Sequence, residues 1–124
     1  MGTTNSSPTA RSFIESEIAA HQVVIWSKSW CGYCRRTINL FEGLRNDPTT
    51  PVKDMVVHQL DQALKGGVSG AEVQTELEKM TGQRTVPNVF VNGQHVGGSD
   101  DTIRAMKNGT LQKLLGLGDG GSRL

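Results

Sequence analysis

The sequence has almost no excess charge of either sign: Lys and Arg number 13 against 12 Asp and Glu, a formal net charge of +1 over 124 residues. Any basic surface must therefore be local, which argues against a dedicated nucleic-acid binder. Long hydrophobic runs are missing as well. No apolar stretch approaches the ~18–20 residues of a membrane span, and Met1–Ala10 is polar, without the apolar centre of a secretory signal. A cytoplasmic protein with no membrane partner is expected. Internal repeats are absent, and the length suits one domain but not two independent cores. Counting glycine and leaving out the single tyrosine, the apolar fraction is roughly 47%, inside the ~45–50% usual for globular chains, so disorder, collagen and coiled coil are excluded.

Cysteine is scarce too. The two present, in Cys31-Gly32-Tyr33-Cys34, close too short a loop to act as a structural staple, so they read as reactive. Zinc usually takes four protein ligands, or three plus water. No second cysteine pair exists, and His21, His58 and His95 are scattered singly, each expected at the surface or on a strand edge.

What is there is regular patterning. Ser7 as N-cap and Pro8 at the first helical position open a helix to about Ala20, with Ala10, Phe13, Ile14 and Ile18 on one face. Val23-Val24-Ile25-Trp26 is a short apolar run suited to a strand buried on both faces. A second helix starts close to Cys31, carries Cys34, Ile38, Phe41 and Leu44 at helical spacing, and ends at Asn46-Asp47-Pro48. Met55–Leu60 predicts a second strand, and the capping box at Ser69 and Glu72 a helix over about 70–81. Asn92-Gly93 between Asn88–Val91 and Gln94–Val96 predicts a type I′ hairpin. Ser99 is the expected N-cap of a helix stopping near Gly109, and Thr110 starts a last short one. The order α-β-α-β-α-β-β-α-α, with a right-handed parallel β-α-β first and a hairpin on the same sheet, is a thioredoxin-like α/β layout: a four-stranded mixed sheet flanked by helices. Residues 7–117 should form the domain, with 1–6 and 118–124 as flexible ends.

Cys31 falls where a buried strand hands over to a helix. Unpaired N–H groups and the positive helix end there should stabilise a thiolate, with Lys28, Arg35 and Arg36 adding positive charge. Cys34, one turn on and on the apolar face, is within reach of a disulfide. The first thiol reads as the nucleophile and the second as the resolver, and a C-x-x-C after a strand in a βαβ pattern is a redox signal.

Three segments then resemble the signatures of dithiol glutaredoxins, in order and at suitable spacing: Lys28-Ser29-Trp30-Cys31-Gly32-Tyr33-Cys34, Thr81–Val91 with Thr85-Val86-Pro87, and Val96-Gly97-Gly98-Ser99-Asp100-Asp101. The resemblance spans about Phe13 to Leu117. It implies a glutathione-dependent thiol–disulfide oxidoreductase acting on glutathionylated proteins and some protein disulfides, with glutathione as co-substrate. Glutathione carries two carboxylates, an ammonium and a sulfur, and the sequence offers a group for each. Lys28 and Gln83, with Arg84 as an alternative, suit the glycine carboxylate, and Tyr33 flanks the sulfur. The N–H groups at Ser99 and Asp100, beside Gly98, suit the γ-glutamyl carboxylate, and Asp101 or Asp100 the ammonium. For the two acids, plain helix capping is the competing role. The resemblance also implies a cis bond at Val86-Pro87, which would let Val86 pair through its backbone with an extended substrate cysteine.

Two departures from the commonest family pattern stand out. Gly32 replaces a proline, and Ser99 stands where a third cysteine often occurs. In some related proteins a loosened turn accompanies a [2Fe–2S] cluster bridged between two subunits with glutathione, so such a carrier, held by Cys31 in a dimer, is the alternative to a monomeric enzyme. Trp30 is reminiscent of thioredoxin, which makes a thioredoxin-like protein disulfide reductase the other rival. The end Ser122-Arg123-Leu124 resembles a peroxisomal address.

Overall fold

The computed structural model describes residues 8–116, so the expectations for 1–6, for Ser7, for Leu117 and for the tail 118–124 with its Ser122-Arg123-Leu124 end lie outside the described residues. Its elements are α1 (Pro8–Ala20), β1 (Val23–Ser27), α2 (Gly32–Asn46), β2 (Met55–Gln59), α3 (Gly70–Thr81), β3 (Asn88–Val91), β4 (Gln94–Gly97), α4 (Ser99–Lys107) and α5 (Thr110–Leu114), with a single 3-10 turn at Lys65–Gly67. Apart from that turn, this is the order the sequence predicts.

The sheet runs β2-β1-β3-β4, with β1 parallel to β2, β3 antiparallel to β1, and β4 antiparallel to β3. It is the four-stranded mixed sheet of a thioredoxin-like fold. All five residues of β1 are buried because helices cover both faces, and the strand period of two splits its side chains between two cores. Val24 and Trp26, with Phe90, pack against Ala10 and Ile14 of α1 and Val73 and Leu77 of α3. Val23 and Ile25, with Val89 and Val91, pack against Phe41 of α2, Ala105 of α4 and Leu111 of α5. The hairpin turn has Asn92 at φ 48° and Gly93 at φ 80°, as a type I′ turn requires.

One expectation needs correction. The N-cap of α4 is Gly98, not Ser99: the carboxylate of Asp101 accepts from the Gly98 N–H at 2.9 Å, and Thr102 N–H already closes a helical turn on Gly98 C=O. Ser99 thereby becomes the first helical residue and is buried. His58 lies on the edge strand β2, one of the two places expected for it, and is buried there. In register it lies opposite Trp26, the two rings stack with centroids 4.7 Å apart, and its Nε2 sits 2.8 Å from Glu17 of α1. Burial pushes its pKa down, against the pull of Glu17. Periodicity could not reveal this, because a histidine on an edge strand is solvated unless a helix happens to cover it. His21, beside Asp54, and His95, on β4, remain half-buried and exposed.

Candidate active site

Cys31 caps α2. Its backbone is extended (φ −88°, ψ 116°), and its sulfur accepts from the Cys34 N–H at 3.2 Å, so a first-turn donor of the helix is already aimed at the atom that would carry charge. No acidic residue occupies that first turn. The Cys31 sulfur lies 3.9 Å from the carbonyl oxygen of Val86, whose peptide bond to Pro87 is cis. Cys34 is a free thiol with 1% of its surface exposed. Burial, helped by its hydrogen bond with Cys31, pushes the Cys34 thiol up to about 11. The two sulfurs therefore differ in access. With iodoacetamide, labelling of Cys34 should stay slow at neutral pH and rise only as pH nears 11; a Cys34 that alkylates freely at pH 7 would contradict the burial.

Beside the dithiol runs a cleft of about 240 Å³. Tyr33 comes from α2, Thr85, Val86 and Pro87 from the segment before β3, and Gly98, Ser99, Asp100 and Asp101 from the start of α4. Three separate stretches singled out in the sequence thus form one lining. The Ser99 hydroxyl is buried there with no hydrogen-bond partner among the described residues, and Ser99 and Asp100 belong to the first turn of α4, whose N–H groups lack helical partners.

The remaining candidates are placed differently. Lys28 lines a smaller cavity next to Cys31, and its ammonium lies 5.8 Å from the Trp30 ring centroid. Gln83 uses its side-chain NH2 on Thr85 C=O (3.1 Å) and Pro87 C=O (3.0 Å), so it braces the segment that faces Cys31. Arg84 reaches Thr75 at 3.1 Å and Glu78 at 3.5 Å. Trp30 and Tyr33 are strongly exposed, at 72% and 60%, and flank Cys31 on either side in sequence. Among the described residues no group of three His, Cys, Asp or Glu is disposed to hold a metal ion, and no helix is long and apolar enough to cross a membrane.

Comparison with known proteins places this arrangement. Residues 23–96 match the family model described as Glutaredoxin. The chain belongs to the glutaredoxin family. It is 47% identical over 106 residues to Glutaredoxin-C8 of Oryza sativa subsp. japonica, covering 86% of this chain and 71% of the rice protein. To Glutaredoxin-C4 of Arabidopsis thaliana it is 43% identical over 112 residues, covering 90% and 74% of the two chains. Among solved structures, a buckwheat glutaredoxin–glutathione complex is similar at TM-score 0.73 and 34% identity, covering 86% of this chain and 87% of that one. As a glutaredoxin with a C-x-x-C dithiol, the protein is a thiol oxidoreductase.

One contact at this glutaredoxin's site escaped the sequence reading. Asp61, just beyond β2, accepts from the Ser29 N–H at 3.0 Å and from the Ser29 hydroxyl, and these two bonds hold its carboxyl below the usual carboxylate range. They tie the loop leading to Cys31 to the next strand. A signal existed: β1 and β2 are parallel with Ser27 opposite Gln59, so residues two beyond each strand end fall side by side. Register, however, is not readable without the paired structure.

The turn into α4 is equally constrained. Gly97 has φ 122°, and a Cβ there would lie 2.4 Å from the Asp101 carboxylate and 2.8 Å from its Cβ. Gly97→Ala should therefore dislodge the Asp101–Gly98 bond and cost about 1–2 kcal/mol, through strain and the lost cap together. A denaturant midpoint equal to wild type would show that the turn tolerates the side chain.

Proposed function

We propose that this glutaredoxin reduces mixed disulfides between glutathione and proteins or small thiols, and reduces some protein disulfides through the Cys31/Cys34 pair. The observation that carries the reading is the cleft: it runs from Tyr33, two residues from Cys31, to the start of α4, where the buried Ser99 hydroxyl, without a partner among the described residues, and the helix N-terminus suit a carboxylate, with Asp100 and Asp101 beside them for an ammonium. That the similar buckwheat protein forms a complex with glutathione supports the same ligand here. In the first step the Cys31 thiolate attacks the glutathionyl sulfur. The substrate's S–S bond breaks, its thiolate leaves and takes a proton, and Cys31 is glutathionylated. A second glutathione, as thiolate, attacks that sulfur; glutathione disulfide departs and the Cys31 thiolate is restored. Val86, 3.9 Å from Cys31, offers backbone groups to an extended substrate, Tyr33 walls the sulfur, and Thr85 and Pro87 shape the cleft with Gln83 behind them.

The cluster-carrier alternative calls for two copies of the chain. A [2Fe–2S] cluster takes four thiolate-type ligands, and one copy offers Cys31, since Cys34 is buried; Cys31 of a second copy and two glutathione sulfurs would supply the rest.

The reading is tested by comparing one peptide disulfide capped with glutathione against the same peptide capped with cysteamine. The glutathione form should be strongly preferred, and equal rates on both would sink the proposal. Lys28→Ala should lower efficiency on the glutathione form by about tenfold or more, since a charge-assisted hydrogen bond is worth roughly 1.5–3 kcal/mol. An unchanged efficiency in that variant would remove Lys28 from the carboxylate site.

A further inference from the structure

Cys34 does not face an apolar core on every side. Ser27 and Gln59 stand opposite each other across β1 and β2. By the strand period of two they continue the face formed by Val23 and Ile25, which α2 covers. Where that face reaches Cys34 its chemistry thus changes from aliphatic to polar. A cavity of about 100 Å³ lies there, lined by Ser27, Lys28, Cys31, Cys34, Asn39 and Gln59 among others, with room for water. Two features mark it as built for a polar occupant. The Gln59 side-chain oxygen is buried and has no hydrogen-bond partner among the described residues. The Ser27 hydroxyl, on a fully buried residue, makes a long 3.4 Å bond to Lys28 C=O and also lies within hydrogen-bonding reach of the Cys34 sulfur.

We propose that this cavity is the receiving site for the Cys34 thiolate in the resolving half of the dithiol reaction, with Ser27 donating to the sulfur and Gln59 holding the water that accepts its proton. The inference rests on the dithiol reading above. With Cys31 joined to a partner sulfur, Cys34 passes its S–H proton to cavity water and so to solvent. Its thiolate attacks the Cys31 sulfur, the Cys31–partner bond breaks, and the partner leaves as a thiolate that is protonated from solvent. One S–S bond forms and one breaks. Burial opposes this thiolate, while hydrogen bonds from the Lys28 N–H and the Ser27 hydroxyl favour it. Among the described residues, the charged groups lining the cavity are Lys28 before α2 and Arg35 on α2; β2 presents the neutral Gln59, and the nearest carboxylate, Asp61, stands behind the lining on Ser29. Ser27 is a catalytic residue in this scheme, since it touches the reacting sulfur. Gln59 acts through water and is a positioning residue.

The test uses the whole chain and one equivalent of the aromatic disulfide 5,5′-dithiobis(2-nitrobenzoate), followed by stopped-flow absorbance across a pH range. Attack by Cys31 releases a first coloured thiolate, and resolution by Cys34 releases the second. Ser27→Ala should leave the first phase unchanged, slow the second about threefold at pH 7, and move its pH profile up by about one unit. The threefold figure arises because a tenfold smaller thiolate fraction is partly offset by a more basic sulfur. Ser27→Thr, which keeps the hydroxyl, should restore the second phase, and Gln59→Leu should slow it as well. An unchanged second phase in both Ser27→Ala and Gln59→Leu, or equal slowing of both phases, overturns the proposal. If Ser27→Ala loses its folded near-UV signal, Gln59→Leu decides alone. No glutathione enters this readout, so a wild type that releases both thiolates yet ignores glutathione substrates would refute the activity reading and leave the cavity's role standing.

Discussion

Cys31→Ser should abolish both glutathione removal and protein disulfide reduction, whereas Cys34→Ser should keep the first and lose most of the second. The asymmetry follows from access. Cys31 sits at the helix end with a first-turn N–H on its sulfur, while Cys34 is 1% exposed and its thiol is pushed up to about 11. At pH 7 that leaves roughly one Cys34 in ten thousand as thiolate, and even that one is out of reach of a bulky disulfide. Removing glutathione from a mixed disulfide needs one attacking sulfur and a second glutathione, so Cys34 is dispensable there. Its loss could even raise the rate by closing the unproductive route to a Cys31–Cys34 disulfide. A protein held on Cys31 must instead be displaced, and a thiol one turn away supplies this at high effective concentration, so its deletion should cost at least about tenfold. The measurement is a pair of assays, one on a glutathionylated peptide and one on a protein disulfide, for each variant. Glutathione removal that survives in Cys31→Ser and vanishes in Cys34→Ser would mean that nucleophile and resolver are assigned the wrong way round.

The same substitution at two glycines should have opposite signs. At Gly70, the first residue of α3, an added Cβ would meet the Leu60 carbonyl oxygen at 1.7 Å and the carbonyl carbon at 2.6 Å. These are backbone atoms, so they cannot swing aside as a side-chain tip does. The Leu60 N–H is itself bonded to Ser27 C=O at 2.8 Å, and Ser69 caps α3 from the other side, which leaves the segment little freedom to shift. Overpacking of this kind costs about 3 kcal/mol, which lowers Tm by on the order of 10 °C for a domain of this size. Because the strain lands between β1 and the loop at Asp61, Gly70→Ala should also disturb Ser29 and weaken activity. At Gly43, inside α2, an added Cβ meets nothing within 4 Å. Helix propensity then acts alone, and Gly43→Ala should stabilise by about 0.5–1 kcal/mol. Thermal unfolding of the two variants decides: equal midpoints would refute the packing argument at Gly70.

The sequence by itself determined the elements and most of their chemistry, because those follow from local rules. The buried strand could be read from Val23–Trp26, and α3 from the Ser69 capping box. The hairpin followed from Asn92-Gly93, since only residues that accept positive φ make that turn. Cys31 at a strand-to-helix junction with Cys34 one turn behind needed nothing beyond spacing. Only the tertiary structure decided which groups meet. That Tyr33, Val86 and Ser99 share one cleft depends on β3 lying beside β1 and on α4 following β4, contacts between residues distant in the chain. Lys28 lining a different cavity from the cleft, Gln83 bonding its own loop, Asp61 reaching Ser29 and His58 stacking on Trp26 all depend on register and on which face each helix covers. A one-residue shift of register in β2 would send His58 to the other face, away from Trp26. Local propensity does not set that register. Burial on both faces of the sheet does, and burial is a property of the folded chain as a whole.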